Sequence, residues 1–457
     1  MPVKCAPPAI TVIIPAHNAA HYLRTSLARL AMSSEPFRCI VVDDGSTDDT
    51  REVAGSFGAD VVETGGRKGP AYARNMGARL AESEFLFFID ADVCVCPHTL
   101  SRILSNFAQD PKLDALMGSY DDSPGSKDFL SQYRNLMHCF VHQTGRREAF
   151  TFWSGCGAIR RRVFSEHSGF DESYGRPAIE DIELGYRMAK AGHKMILDAG
   201  LQVKHLKAWS FLGLVKTDIL DRGVPWTELI LRDKALPNDL NIQLSQRVSV
   251  ALVWLLIAIT FAGAIVTGAA FVLPLLALLF LMLGAFEAET TWRHNPNAMI
   301  GIVGLVSVIT GLAWWTKEYW LAPPVLLAYV LLLLRHRYTF NNVRRRRFTG
   351  LLCGVYLLFT TLFVLTYLPR HPLVFCLFLV LTLIVVLNNG FYVFLASRTG
   401  KLLALAGIPF HLLFHFYNGL SFLIGSLRYY LRKDNAVEKR AAQAASPQPS
   451  APHVSGH

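Results

Sequence analysis

Residues Glu84 to Asp92 read E-F-L-F-F-I-D-A-D, an apolar run that ends on two carboxylates, Asp90 and Asp92, flanking one small residue. Phe85-Leu86-Phe87-Phe88-Ile89 shows no polar alternation, so as a strand it has to be covered on both faces. Two acids placed where such a strand emerges resist joint ionisation unless a cation sits between them. Hard divalent ions use one or two carboxylates together with substrate phosphates. The pattern therefore predicts a metal-diphosphate site, and an exposed acidic turn is the other reading of D-x-D taken alone.

The surrounding sequence alternates strand and helix patterns. Strands are expected at Ile10–Ala16, Phe37–Asp43, Asp60–Glu63, Glu84–Ile89 and Asp114–Met117. Helices are expected at Tyr22–Ala31, Asp48–Phe57, Ala71–Ala81 and His98–Ala108. Such alternation predicts a mostly parallel sheet with helices on both faces. Ligands of open α/β sheets sit beyond the carboxyl ends of the strands. Four ends carry polar or turn-forming residues there: Pro15-Ala16-His17-Asn18, Asp43 to Asp48, Thr64 to Gly69, and Asp90-Ala91-Asp92. Four in register form a site. Further on, Arg134 to Arg147 reads as a helix and loop over the site, and Phe152 to Ala158 as a glycine-rich turn. Ile179 to Ala191 reads as a helix, and His193–Leu197 and Gln202–Leu206 as two short strands.

Apolar residues, 52% of a 457-residue chain, are unevenly spread. From about Val248 to Tyr430 the sequence is a series of Leu/Val/Phe/Ala stretches, several approaching the ~20 residues that cross a bilayer. Spans are expected near 248–267, 270–286, 298–315, 319–334, 349–368 and 372–396. The 402–427 stretch, with His411, His415 and Asn418, reads as an interfacial or re-entrant helix. The net charge of +10 is placed at membrane boundaries, at Arg335, Arg337, Arg344 to Arg347, Arg428, Arg432 and Lys433. That placement fits the positive-inside rule and argues against nucleic acid as a partner. The segment before Pro8 has no apolar core, so the α/β half is not expected to be exported by its own N-terminus. The eight cysteines have no zinc or redox spacing and read as reduced thiols in a cytosolic domain.

The motifs I-P-A-H-N, V-V-D-D-G-S-T-D-D-T, G-P-A-Y-A-R-N-M-G, F-F-I-D-A-D and I-E-D-I-E-L-G-Y-R, in that order, resemble family 2 glycosyltransferases, over about residues 8–235. The resemblance implies an α/β GT-A (Rossmann-like) domain that binds a nucleotide-diphosphate sugar. Pro15, His17 and Asn18 would line the base and ribose pocket, although the family usually has an aromatic where His17 stands. Asp44 would contact the base, with turn and helix capping as its other reading. Arg74 or Lys68 would face the diphosphate or sugar. Asp90 and Asp92 become the metal-diphosphate pair for Mg2+ or Mn2+, with His205 completing the site or, in its other reading, a satisfied structural histidine. Asp181 is the candidate base, Glu180 its supporting or acceptor-binding partner, and helix capping the alternative for either. Trp153, Gly155 and Cys156 would form the acceptor-side loop.

The resulting layout is a catalytic domain over 1–209, an interfacial helix and linker over 210–247, a transmembrane domain over 248–431 and a disordered tail over 432–457. It implies an inverting, metal-dependent hexosyltransferase at the cytoplasmic face of the cell (inner) membrane. The partners would be a nucleotide-diphosphate sugar and a membrane-associated, lipid-linked acceptor. A processive polysaccharide synthase is the rival, although Arg222-Gly223-Val224-Pro225-Trp226 does not match the Q-x-x-R-W of such enzymes. A nucleotide-sugar-binding transporter or flippase is the alternative from another class.

Overall fold

The computed structural model describes residues 8–267 and 372–445. Its α/β half is built on one eight-stranded sheet. The strands are β1 (Ile10–Ala16), β2 (Arg38–Asp43), β3 (Asp60–Glu63), β4 (Phe85–Ile89), β5 (Val93–Cys94), β6 (Leu113–Tyr120), β7 (Cys156–Arg160) and β8 (Lys194–His205). Their order is β3-β2-β1-β4-β7-β6-β8-β5. β1 to β4 are parallel, as the alternating pattern predicts. β7 lies antiparallel between β4 and β6, and β5 lies antiparallel on β8, so the sheet is mixed rather than mostly parallel.

The helices are α1 (Ala20–Leu30), α2 (Thr50–Ser56), α3 (Pro70–Leu80), α4 (Thr99–Gln109), α5 (Phe129–Gln143), α6 (Arg161–Glu166) and α7 (Glu180–Lys190). All five residues of β4 are buried, and they serve two cores. Phe85, Phe87 and Ile89 join Leu23, Leu27 and Ile103 on one face. Leu86 and Phe88 join Phe164, Phe170 and Leu184 on the other. Double coverage is why the run carries no polar alternation.

Two expectations change here. The segment read as a glycine-rich turn enters the sheet as β7, because Gly157 permits close approach rather than a bend. A Cβ there would meet the Trp153 carbonyl oxygen at 2.4 Å and Phe152 at 2.5 Å. The two short strands expected over 193–206 are one twelve-residue strand, β8, paired with β6 through irregular registers.

Beyond β8 the chain runs through α8 (Phe211–Lys216), a π-helical turn (Thr217–Gly223) and α9 (Val224–Asp233). α10 (Leu244–Thr267), α11 (Pro372–Leu387), α12 (Asn389–Thr399) and α13 (Lys401–Ala445) come next. Among the described residues, Leu244–Val266 and Leu403–Arg432 are long and apolar enough to cross a membrane. The expected span at 372–396 is bent by 65° between Leu387 and Asn389. Asn388 sits at the bend, and its Nδ2 donates to the Ile384 carbonyl (2.8 Å) and to Ser249 Oγ (2.9 Å). Polar groups that re-satisfy freed backbone are what such a break requires. The stretch expected to be interfacial or re-entrant belongs to α13, a single helix that continues through Ala445 into the expected tail. Its Ala, Lys, Glu, Arg and Gln content after residue 436 is helix-favouring. The spans expected at 270–286, 298–315, 319–334 and 349–368 and the basic segment 335–347 lie outside the described residues.

Candidate active site

The carboxyl ends of β1, β2 and β3 are stitched into one wall by side chains from the expected nucleotide motifs. Pro15 lies near the end of the pairing between β1 and β2, opposite Val42. His17 Nδ1 is 3.0 Å from the Asp44 carbonyl oxygen. Asn18, in the left-handed region at φ 48°, accepts from the Thr47 amide (2.8 Å), while its own amide donates to Ser46 Oγ (2.8 Å). The buried Asp44 carboxylate accepts from Thr64 Oγ1 (2.9 Å) and the Lys68 (2.7 Å) and Gly69 (2.8 Å) amides. Asp44 thus shapes the loop after β3, and the Lys68 side chain stays exposed above it. Gly69 has φ 96°, and a Cβ on it would meet the Gly175 backbone at 2.7 Å. Only glycine allows the 171–178 segment to close on this turn.

Arg74, one turn into α3, is 5% exposed and bridges two distant acids. Its two terminal nitrogens donate to Asp90 Oδ1 (2.7 Å) and Glu180 Oε1 (2.8 Å). Burial alone would lower its pKa, and the charges of Asp90, Glu180 and Asp181 outweigh that, so it stays charged. The Arg74 fork is engaged inside the protein by these two acids. Glu180 is 4% exposed, with Oε1 on Arg74 and Oε2 on the Ala178 amide (2.9 Å). Burial, with a contribution from Asp181, raises its pKa against the opposing pull of Arg74. Both oxygens of Glu180 are engaged, one on the bridge to Arg74 and one at the start of α7. Asp181 is half-buried beside it. Its Oδ2 accepts from the Ser154 amide and hydroxyl, both at 2.9 Å, and its Oδ1 from the Ile182 amide (2.8 Å).

The D-A-D segment meets its histidine through the short β5–β8 pairing, in which Val93 lies opposite His205. His205 Nε2 comes to 3.4 Å from Asp92 Oδ2, and its Nδ1 is 2.7 Å from Asn135 Oδ1. Asp92 is raised by burial and pulled below the usual range overall by His205 and Lys207. Asp90 does not join this pair, because its carboxylate is drawn to Arg74. Among the described residues no three His, Cys, Asp or Glu side chains form one metal-ready group. The expected Asp90-Asp92-His205 set is thus split into an Arg74–Asp90 arm and an Asp92–His205 arm. The second arm supplies one carboxylate and one imidazole, the donors that would hold a divalent cation together with substrate phosphates. With Nδ1–H on Asn135, a cation bound to Nε2 and Asp92 would take the place of their direct 3.4 Å contact.

On the acceptor side, Trp153 meets the edge of Tyr120 at 4.9 Å and lies 4.8 Å from His138. Gly155 is pinched under Trp153, where a Cβ would sit 2.7 Å from the indole. Cys156 is 0% exposed in β7, and burial pushes its thiol pKa up. It lies in the core. Tyr120 and Asn135 lie by these side chains without any motif that marks them in the sequence, and Ser154 comes from within the glycine-rich segment. His138 and His142, four apart on α5, were the available signal for that wall. The described cysteines are all free thiols.

Parts of this chain are similar to known proteins. A validoxylamine A glucosyltransferase from Streptomyces hygroscopicus subsp. jinggangensis is 29% identical over 238 residues, covering 43% of this chain and 56% of that protein. The O-antigen chain rhamnosyltransferase WbaN of Salmonella anatum is 26% identical over 249 residues, 48% of this chain and 75% of that protein. The mannosyltransferase PcManGT of Pyrobaculum calidifontis, solved with GDP-Man and Mn2+, is 20% identical with a TM-score of 0.42, covering 73% of this chain and 90% of that one. The chain spans about half the length of the first curated relatives it matches. Residues 11–168, about a third of the chain, match the family described as Glycosyl transferase family 2.

Proposed function

We propose that this chain is an inverting glycosyltransferase that moves a sugar from a nucleotide-diphosphate donor to a lipid-linked acceptor at the cytoplasmic face of a cell membrane. The observation that carries the proposal is the Arg74 bridge. It ties Asp90, at the end of β4, to Glu180, whose neighbour Asp181 is the half-buried acid of the pair. One side chain thereby joins Asp90 to the acid beside the candidate base.

Asp181 has the geometry of a base held in one orientation, since Ser154 donates to it twice. It would accept the proton of the acceptor hydroxyl as that oxygen bonds to the anomeric carbon. The bond from that carbon to the diphosphate breaks on the opposite face, and the proton passes later to water. Asp92 and His205 would hold a divalent cation, which supplies positive charge to the departing diphosphate. The Asp44-stapled loop, and the Gly69 turn beneath the 171–178 segment, would fix the donor.

A lipid acceptor is supported by the segment after His205. Lys207 lies 4.2 Å over the Trp209 ring, and Phe211, Leu212 (79% exposed) and Leu220 present apolar surface beside helices long enough to cross a membrane. Amphipathic segments of this kind lie in the headgroup boundary.

The test is nucleotide release by the purified full chain with candidate nucleotide sugars, a lipid extract and Mn2+. Asp181→Asn is expected to lower kcat by about 10^2–10^4-fold while the donor KM changes little. Equal metal-dependent turnover by Asp92→Ala and wild type would sink the proposed site. Lipid mass spectrometry then reads whether one sugar or a polymer is added.

A further inference from the structure

We propose that Asn135 is a positioning residue that fixes the ring of His205 so that its Nε2 faces Asp92, ready for a divalent cation. The inference rests on the reading of Asp92 and His205 as a cation site. Asn135 is 2% exposed and sits in the middle of α5, where its Oδ1 is 2.7 Å from His205 Nδ1. Its Nδ2 finds no partner among the described residues, so no competing bond turns the amide away from the histidine. The Tyr120 ring stacks on the imidazole at 4.5 Å with planes 10° apart, blocking rotation out of that plane. An acceptor on Nδ1 sets the tautomer in which Nε2 carries the lone pair, and a metal-ligating histidine needs that partner.

The helix is shaped for this task. Ser131, Asn135, His138 and His142 recur every three or four residues and so share one face of α5. Ser131 Oγ accepts from the Trp209 amide (2.7 Å), and His142 Nδ1 is 2.9 Å from the Gly118 carbonyl oxygen. The opposite face, with Tyr133, Met137 and Phe140, packs against Phe391, Leu395 and Phe414 of the C-terminal helices. α5 is therefore clamped on both sides, and Asn135 is held at a fixed height over His205.

Asp and Leu are both close to Asn in size, and they separate a positioning role from a packing role. A carboxylate preserves the acceptor for Nδ1–H, whereas leucine removes it. If Asn135 only fills space, the buried charge makes Asp the worse replacement. If it positions His205, Leu is the worse one. Mn2+ binding to the purified full chain, without donor or acceptor, can be read from the loss of the free-ion EPR signal. Asn135→Leu is expected to weaken binding by about 10–100-fold and Asn135→Asp to leave it within about threefold. His205→Ala should be at least as weak as Asn135→Leu, and adding Asn135→Leu to it should cost nothing more.

Wild-type affinity in Asn135→Leu overturns the proposal, as does binding that is weaker in Asn135→Asp than in Asn135→Leu. Failure of the wild-type chain to bind Mn2+ overturns it too. The expected order in a chain that releases no nucleotide from any donor would support this inference while defeating the proposed function.

Discussion

Arg74 holds a full charge in the interior because two carboxylates reach it from opposite directions. Removing one partner of such a cluster leaves an uncompensated buried charge, which costs more than the cluster contributes. Arg74→Met is expected to destabilise the chain by about 3–5 kcal/mol, measured by denaturation of the full chain in detergent. The pH dependence comes from Glu180, whose pKa is raised by burial. A carboxylate with a raised folded-state pKa contributes stability at low pH that is lost as pH rises through that value. Without Arg74 that pKa climbs further, so the deficit of the variant should be larger at pH 8 than at pH 5. An equal deficit at both would mean that Glu180 is not the group left stranded.

At the scale of elements, β7 and α7 are fitted to each other through glycine. A Cβ on Gly185 would meet the Phe152 amide at 2.4 Å and Thr151 backbone atoms at 2.7 Å, so α7 packs backbone to backbone against the segment that leads into Trp153 and Ser154. Gly185→Ala is expected to destabilise by about 1–3 kcal/mol and to lower transfer as well, because α7 carries Asp181. Gly55→Ala in α2, where a Cβ has open space, is the helical control and should melt no lower and turn over as wild type. Nucleotide release and thermal melting of the two variants check this; parallel behaviour would refute it. Element identity in the first 120 residues was legible from the sequence, since a doubly buried strand and an amphipathic helix each leave a period. β7 was not, because Ser-Gly-Cys-Gly is also the composition of a turn. Only the approach of Phe152 and Trp153 shows why glycine is there.

At the scale of the molecule, Asp218 joins the two halves. From the π-helical turn its Oδ1 accepts from Arg134 of α5 (2.6 Å), and its Oδ2 from the Tyr417 hydroxyl of α13 (2.6 Å). π-helical turns recur where a side chain has to be re-aimed, and this one turns a carboxylate into the junction. Nearby, Gly425 lets α13 approach the Val224 carbonyl of α9. Asp218→Ala is expected to cost about 3–5 kcal/mol and to speed proteolysis in the 234–243 connection. Melting and digestion rates equal to wild type would show that the halves are held together elsewhere.

The sequence by itself determined what is encoded locally. It showed the strand-helix alternation, the acids and glycines at four strand ends, the acid pair opening α7 and the apolar stretches after residue 248. Each of these is a period or a short motif, readable because neighbours along the chain share one environment. The tertiary structure decided which of those residues meet. Arg74 and Glu180 are 106 residues apart, and His205 and Asn135 are 70 apart. The β5–β8 pairing that brings His205 to Asp92 is two residues long. It leaves no period to detect. Cys156 and Asp181 are both polar residues in suggestive motifs, yet one lies in the core and the other is half-buried beside Ser154. Long-range packing, which no local pattern carries, sets that difference in burial.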